Sequence, residues 1–514
     1  MNYKNNESRT KKLVRNSFAG TIAFCVQIIV TFISRVVFIK YLGIEYLGIN
    51  DLYTNILSIL SLADLGFETV LMYSLYKPIA EDNKQLICEL IDTFKKLYRA
   101  IAIVIFIIGI TLIPFLSHII KDSGLDDFNL IVYYLFFLLN SVFSYLMVYK
   151  SALLQADQNV YIVKLIKAFS QLFCGILQII LIIVFRNYIA YLFTMLITTI
   201  INNLILNYKA TQQYPFLQKC NTKSLQKEIK VRLIENTKSV FLYKIGTTIV
   251  NSTDNIFISM ILGSTMVGYY SNYYTVIAAI TSIIGIFNSS VIPGIGNFLA
   301  KNKNGQDRHQ LFSSILMFYF LVATVFSSIL FLCINQFIQL WVGKNYILNI
   351  LDVLAIIISF YFQCIAHPLW IFRETSGLFK EIKPCILSMA FFNIIFSYVF
   401  GKQFGIAGII GATTLSRLLT LFWYEPKVLE KNIFYSNSLD YWKKWIQYFL
   451  VSILSICVLI VFFMNKMNTF IGMIFKAFSS CLFVLFLYLI FFRNSKEMRY
   501  LLSKIKQFNK ILKK

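Results

Sequence analysis

Eight ionisable side chains of this sequence stand inside long apolar runs: Arg35, Asp51, Asp64, Glu68, Lys244, Asp254, Arg417 and Lys476. A charge at the centre of a membrane helix costs about 2.5–3.5 kcal/mol on insertion scales, so each of them needs a partner or a task. Asp64 and Glu68 are four residues apart, which puts both on one helical face. Two carboxylates so placed raise each other's proton affinity, the chemistry of a proton-coupled step. Pairing of one or both with Arg35 or Lys244 would instead lock helices together. Residue types and spacing leave both readings open.

Arg35 lies toward the outer end of the first apolar run, and Asp51 lies at a similar depth near the start of the second. A structural ion pair between them is the plain reading. Asp254, beside Asn251, Ser252 and Thr253, nearly superposes on Arg35 by the internal repeat described below, so opposite charges at these two places would also suit an outer gate. Lys164 and Lys167 share a face at three-residue spacing. Their position near the cytoplasmic end of the fifth run equally satisfies the positive-inside bias.

Other chemistries find little support. The nine cysteines are scattered, six of them (Cys25, Cys174, Cys333, Cys364, Cys457 and Cys481) in apolar runs with no Cys-x-x-Cys spacing, so neither a disulfide framework nor a zinc site is expected. His118, His309 and His367 fall in separate segments, which gives no basis for a metal or nucleophile cluster. The chain has no Gly-x-x-x-x-Gly-Lys-Ser/Thr loop and no dinucleotide-binding turn. Asp126-Asp127 reads as a solvated acidic pair in a short loop. No enzymatic activity, cofactor or metal is expected.

The elements that must hold these charges are membrane helices. Of the 514 residues 58% are hydrophobic and 14% charged, and the mean hydropathy is +0.69, far from the balance of a soluble domain. Runs of about 20 apolar residues occur at 17–39, 47–75, 97–119, 129–149, 160–184 and 188–207. They resume at 237–262, 265–292, 311–334, 350–372, 383–400, 404–424, 442–464 and 469–492. The runs are continuous rather than alternating, which excludes barrel strands. The sequence therefore predicts an all-α polytopic integral membrane protein with about 14 transmembrane helices. Ser17 to Ile39 contains Arg35 and reads as a retained helix rather than a cleaved signal.

The net charge of +24 raises the question of nucleic acid, but the basic residues sit in loops. Of the 48, only Lys40, Lys121, Arg186, Lys344, Lys402 and Lys466 fall on the side opposite the N-terminus, and Arg35, Lys244, Arg417 and Lys476 lie within spans. This asymmetry predicts cytoplasmic N- and C-termini, and no nucleic-acid partner. The C-terminal tail places Met498, Leu501, Ile505, Phe508 and Leu512 on one helical face. It suits either an anionic leaflet or a solvated helix.

An internal repeat organises the spans. A shift of 220 residues sets Leu42-Gly43 on Leu262-Gly263, Gly48 on Gly268 and Tyr53 on Tyr273; a shift of 218 sets Asn187, Ile189 and Ala190 on Gly405, Ala407 and Gly408. Copies six spans apart keep the same direction, which implies two pseudo-symmetric six-helix lobes plus two C-terminal helices. The expected layout is a cytoplasmic segment 1–16, an N-lobe 17–207, a basic connector 208–236 and a C-lobe 237–424. A cytoplasmic loop 425–441, two further spans 442–492 and a basic tail 493–514 complete it. Lobes that rock about a shared site suit a transporter.

The run from Phe32 through Arg35, Leu42-Gly43, Gly48 and Leu62-Ala63-Asp64-Leu65-Gly66, together with Gly405-Ile406-Ala407-Gly408, resembles the polysaccharide repeat-unit flippases (Wzx-type O-antigen, capsule and teichoic-type transporters). These belong to the multidrug/oligosaccharidyl-lipid/polysaccharide (MOP) exporter superfamily. The resemblance implies a V-shaped pair of lobes and a cargo of undecaprenyl-pyrophosphate carrying an oligosaccharide repeat unit. It implies a basic interior for that cargo, for which Arg35, Lys164, Lys167, Lys244 and Arg417 are the cations best placed; Asp64, Glu68, Asp254 and Asp51, read from residue type and position, are the candidate coupling or gating carboxylates. Membrane lipid and the polymerase and assembly proteins of surface polysaccharide would be its partners. A peptidoglycan-precursor flippase and a cation-coupled drug exporter remain alternatives within the superfamily. A polysaccharide polymerase or ligase is the alternative from another class, and it would be expected to carry a sizeable external loop.

Overall fold

In hydrocarbon each backbone N–H and C=O must be satisfied within its own segment, so continuously apolar runs become helices. The computed structural model describes residues 9–61, 67–121, 124–146, 148–157, 159–218, 227–302, 304–435, 438–463 and 469–503, and among these no strand occurs. Contacts divide the chain into two units, Met1–Gly268 and Tyr269–Lys514. The first contains α1 (Arg9–Tyr41), α2 (Ile44–Leu60), α3 (Phe67–Ala80), α4 (Lys84–Thr111), α5 (Leu116–Ile119) and α6 (Asp127–Tyr145). It continues with α7 (Val148–Ala156), α8 (Val160–Phe185), α9 (Tyr188–Gln213), α10 (Lys227–Leu262) and the first turn of α11 (Ser264–Lys301). The second holds the rest of α11, then α12 (Gly305–Trp341), α13 (Ile350–Ile365), α14 (His367–Ser376) and α15 (Phe379–Leu419). It ends with α16 (Leu421–Leu429), α17 (Ser438–Phe463) and α18 (Phe470–Phe492).

Ten stretches among the described residues are helical, long and apolar enough to cross a bilayer, and α4 joined to residues 113–119 through a 40° bend makes eleven. One of the ten, Lys380–Phe434, runs through Gly405, whose backbone at φ 60°, ψ −137° interrupts the helix, so it holds the two spans expected at 383–400 and 404–424. With α2, which is 17 residues long, and α10, which carries the run at 237–262, the count is about fourteen.

Within the first unit α1 lies along α8, α8 against α9, α6 against α4 and α9, and α2 against α10. Within the second, α12 is the most enclosed helix and packs on α13, α17 and α18. Small hydroxyl residues permit this close approach. Ser314, Thr324 and Ser328 are buried on α12 and return their hydroxyl protons to carbonyls one turn earlier. Thr324 also meets Ser452 of α17 at 2.6 Å and Tyr488 of α18 at 3.4 Å, which fixes the two C-terminal spans to α12. The tail begins folded on the protein: Glu497 pairs with Lys444 at 2.7 Å and Met498 is 7% exposed. Ile505, Phe508 and Leu512 lie outside the described residues. Cys88 is disulfide-bonded, whereas the six cysteines in apolar runs are free thiols.

The repeat read from the sequence recurs as local geometry. Gly43 and Gly263 end α1 and α10 with φ of 102° and 93°, values that favour glycine. Gly48 faces the carbonyl of Ser264, and Gly268 faces that of Ile44, so that a β-carbon on Gly268 would come within 2.6 Å of the Ile44 oxygen. Since Ile44 and Gly48 map onto Ser264 and Gly268 by the 220-residue shift, the contact is reciprocal. Tyr53 is fully buried and donates to the Leu130 carbonyl at 2.8 Å; Tyr273 is fully buried and accepts from the Leu348 N–H at 3.0 Å.

The second repeat junction shows one function supplied in two ways. At the start of α9 the Asn187 side chain accepts from the Ile189 N–H at 2.8 Å, a local helix cap. Gly405 stands at the matching place in α15 and has no side chain to offer. There the carboxylate of Asp352, from α13, accepts from the Ala407 N–H at 2.8 Å, the position equivalent to Ile189.

Candidate functional site

At one end of the first unit, the last turns of α1 meet the first turns of α2 and α9. Arg35 Nη2 binds Asp51 Oδ2 at 2.8 Å, with 9% and 22% of the two side chains exposed. Asn50 donates to the other Asp51 oxygen at 3.3 Å, and the Tyr188 hydroxyl lies 3.4 Å from Asn50 Oδ1. Tyr188 is itself enclosed by the rings of Phe38, Tyr46, Tyr133 and Tyr191, with centroids 4.8–5.9 Å apart. The pairing of Arg35 with Asp51 is therefore present, and Asn50 links it to the cluster of rings around Tyr188. Asn50 and Tyr188 had no signal in the sequence beyond being polar or aromatic at a span end.

The remaining expected residues are dispersed. Lys164 is exposed on α8 and reaches across to Gly20 of α1, and Lys167 is exposed on the same helix. Asp254 is partly buried on α10, and Arg417 is partly buried near the end of α15. Asp64 and the side chains of Glu68 and Lys244 lie outside the described residues. The most buried ion pair described is one the sequence reading assigned to loops: Arg373 of α14 and Glu425 of α16, 2.6 Å apart and 4% and 5% exposed. The sequence shows both residues at the polar ends of apolar runs, where a charge needs no partner, so nothing marked them.

Deeper in the first unit, residues of α2, α6, α9 and α10 line an open cavity of about 500 Å³. Helical rise puts Thr54 about 15 Å along α2 from Ile44, and Ser61 caps the C-terminal end of that helix. Thr54, Ser58 and Ser61 recur at four- and three-residue spacing on one face of α2, opposite Asn140 and Ser141 of α6, while Thr248 closes the α10 side. The rings of Phe137 and Tyr145 complete the wall. The volume falls in the usual range for small-molecule sites, but the lining is more polar than a packed helix junction requires. Two elements of this wall border residues of the sequence reading: Ser61 precedes Asp64 by three positions, and Thr248 follows Lys244 by four.

Chemically the first unit thus offers a stabilised charge pair at one end and a hydroxyl- and amide-lined chamber inside the membrane-spanning region. Such a chamber can shelter a hydrophilic group that hydrocarbon would strip of water. No cluster of three or more metal-ligating side chains occurs among the described residues.

Solved structures give the fold a context. The chain superposes on the lipid II flippase MurJ in an inward closed conformation with a TM-score of 0.69 at 14% identity, covering 92% of this chain and 99% of that one. An inward-facing multidrug resistance MATE family transporter of the MOP superfamily matches at TM-score 0.63 and 12% identity, over 80% of this chain and 99% of that one. A Vibrio cholerae MATE transporter matches at TM-score 0.54 and 13% identity, over 83% and 98%. At such identities the likeness is one of fold. A search of curated protein sequences finds no match. The family of polysaccharide biosynthesis proteins matches residues 13–299, more than half of the chain. This many-helix membrane protein, with the fold of the MOP exporters, accordingly belongs to the polysaccharide biosynthesis protein family.

Proposed function

We propose that the protein flips undecaprenyl-pyrophosphate-linked oligosaccharide repeat units from the cytoplasmic to the outer leaflet of the bacterial plasma membrane, by alternating access. The observation that carries this reading is the polar chamber of the first unit, set among membrane-spanning helices of a polysaccharide biosynthesis protein. A pyrophosphate bearing sugars cannot cross hydrocarbon unaided, because its charges and hydroxyls would lose water without replacement, at tens of kcal/mol for the charges. A polar cleft removes most of that barrier, and the polyprenyl tail can stay in lipid while the head group moves. Outward movement of negative charge is also downhill by about 2.3 kcal/mol per charge for each 100 mV, inside negative.

In this reading Arg35, Lys164, Lys167, Lys244 and Arg417 supply cationic character along the path. Asp64, Glu68 and Asp254 act as coupling or gating carboxylates, and Asp51 does so through its bond to Arg35. Swapping Arg35 and Asp254 should preserve transport better than either single change if the two gate together. The N- and C-termini are cytoplasmic, and polysaccharide polymerase and assembly proteins take up the product. The decisive experiment is a deletion strain examined for lipid-linked repeat units accumulated on the cytoplasmic side. Normal polymer in that strain, with no second flippase to substitute, would overturn the proposal.

A second reading, flipping of a peptidoglycan precursor, is favoured by the likeness to MurJ. Rescue of a strain depleted of its own lipid II flippase would select it over the first.

A further inference from the structure

The short helix α16 has an inward and an outward side of different chemistry. Glu425, Pro426, Val428 and Leu429 are buried, and Glu425 holds Arg373 of α14. Trp423, Tyr424 and Lys427 face outward, with 51% of Trp423 exposed. Lys427 follows Trp423 by four positions and so shares its face. Lys431, exposed in the π-helical turn Glu430–Phe434, adds a second cation one turn further on. That turn is anchored from behind: Arg308 of α12 donates to the Ile433 carbonyl at 3.3 Å, and the Phe434 ring packs on those of Phe312 and Phe372 at 4.9 and 5.6 Å.

The first turns of α17 extend this outward surface. The indoles of Trp423 and Trp442 lie 4.6 Å apart, and Phe422 packs on Trp442 and Trp445 at 5.0 and 5.2 Å. Three of the five tryptophans of the chain therefore meet at one place, beside exposed Lys443 and Ile446. No ion pair joins Lys427, Lys431 or Lys443 to a carboxylate among the described residues. Of the carboxylates nearby in the chain, Glu425 is spent on Arg373 and Glu430 is buried, which leaves Asp440 exposed against the three lysines.

An indole, apolar in body and polar at its N–H, settles at the level of lipid head groups. An ammonium on a long stem beside it reaches the phosphates. A zwitterionic head group would also bring its own cation toward the lysines, whereas an anionic one brings none. Each basic residue close to an anionic surface is worth about a fivefold enrichment. Two or three of them on an open ledge concentrate a lipid that is abundant in the leaflet and are too few to capture a scarce one, so the fitting occupant is a bulk phospholipid.

We infer that the outward side of α16 and the first turns of α17 form a binding surface for anionic phospholipid, in which Lys427 and Lys431 hold the phosphates while Trp423 and Trp442 lie against the glycerol and upper acyl chains. On the orientation proposed above this lipid belongs to the cytoplasmic leaflet. The inference does not depend on the cargo, because it concerns the bilayer that borders the second unit. Since the other side of α16 carries Glu425, lipid held outside braces the helix that forms the most buried ion pair described.

The test uses the full-length protein reconstituted in bilayers that contain either dibrominated phosphatidylglycerol or dibrominated phosphatidylcholine, because bromine quenches the fluorescence of an indole it touches. The part of the quenching that Trp423→Phe removes belongs to Trp423. Phosphatidylglycerol should reach half of that quenching at about one fifth, or less, of the mole fraction that phosphatidylcholine needs. Lys427→Gln combined with Lys431→Gln, both at exposed positions with little folding burden, should bring the two lipids within about twofold of each other. Lys344→Gln combined with Lys402→Gln removes the same charge beyond the end of α12 and beside the Gly405 break of α15, and should leave the preference intact. Equal quenching by the two lipids in the unaltered protein, or a preference that survives the loss of Lys427 and Lys431, would overturn the inference. So would a preference lost equally in the Lys344 and Lys402 control, or a Trp423→Phe variant that loses no quenching.

Discussion

The reciprocal glycine contact between α2 and the first turn of α11 permits a double-mutant test with a magnitude set by geometry. A β-carbon on Gly268 would lie 2.6 Å from the Ile44 carbonyl oxygen, whereas ordinary contact begins at 3.4 Å. The two backbones must then part by about 0.8 Å, and the obstacle is a carbonyl rather than a flexible side-chain end. Gly48→Ala drives a β-carbon into the Ser264 carbonyl more severely still. Overpacking of this kind costs about 1–3 kcal/mol, and we expect Gly48→Ala to fall at or above the upper end. Both substitutions force the same separation of the same two helices. Once one has opened the contact, the second finds the space already made, so the double variant should lose about 0.5–3 kcal/mol less than the sum. The assay is the unfolding free energy of the four proteins by SDS titration in mixed micelles. Gly285→Ala is the control: its β-carbon would meet nothing within 4 Å, and it should be neutral or up to about 1 kcal/mol stabilising. Losses that add within about 0.5 kcal/mol, or single losses no larger than the control's change, would refute the reasoning.

Other outcomes follow from single interactions. Asp352→Leu removes the carboxylate that caps Ala407 and should destabilise by about 0.5–2 kcal/mol, with Asp352→Asn recovering most of the loss because its carbonyl oxygen still accepts; thermal unfolding of the three proteins checks this. Breaking the Arg373–Glu425 pair from one side leaves a buried charge, so Arg373→Met and Glu425→Gln should each cost about 3–5 kcal/mol and the double variant less than either; expression and melting temperature read the order. For Glu497, burial raises the carboxyl, but the hydrogen bond and charge of Lys444 outweigh it and hold the group below the usual carboxylate range. Stability from this pair is therefore full above the unfolded value of about 4.3 and is lost as pH falls through the folded value. A melting-temperature gap between the unaltered protein and Glu497→Gln should be present at pH 7 and close on acidification; a constant gap would contradict the pairing. Cysteine labelling at both termini should find them cytoplasmic, as the distribution of basic residues requires.

The helical architecture was legible residue by residue because it depends on local quantities. Apolar length fixes the spans, and the backbone's need for internal hydrogen bonds fixes their form. The repeat was legible for a related reason: Gly43 and Gly263 need a left-handed backbone, and Gly48 and Gly268 need the absence of a side chain. Such requirements survive as residue identity even where little else does. Arg35 and Asp51 could be paired from depth alone, since adjacent antiparallel helices bring equal depths together.

What tertiary structure decided is who stands opposite whom. Asp352 caps a helix 55 positions away, and Arg373 meets Glu425 across 52; no periodicity in the chain encodes either. Thr54, Ser58 and Asn140 read in the sequence as ordinary polar content of membrane spans. Only the placement of α2 against α6 brings them to one cavity, where the hydroxyl protons of Thr54 and Ser58 are already spent on carbonyls. A sequence states how many hydrogen-bonding groups a helix carries, whereas the folded chain determines which of them are already used, and that difference is what a substrate encounters.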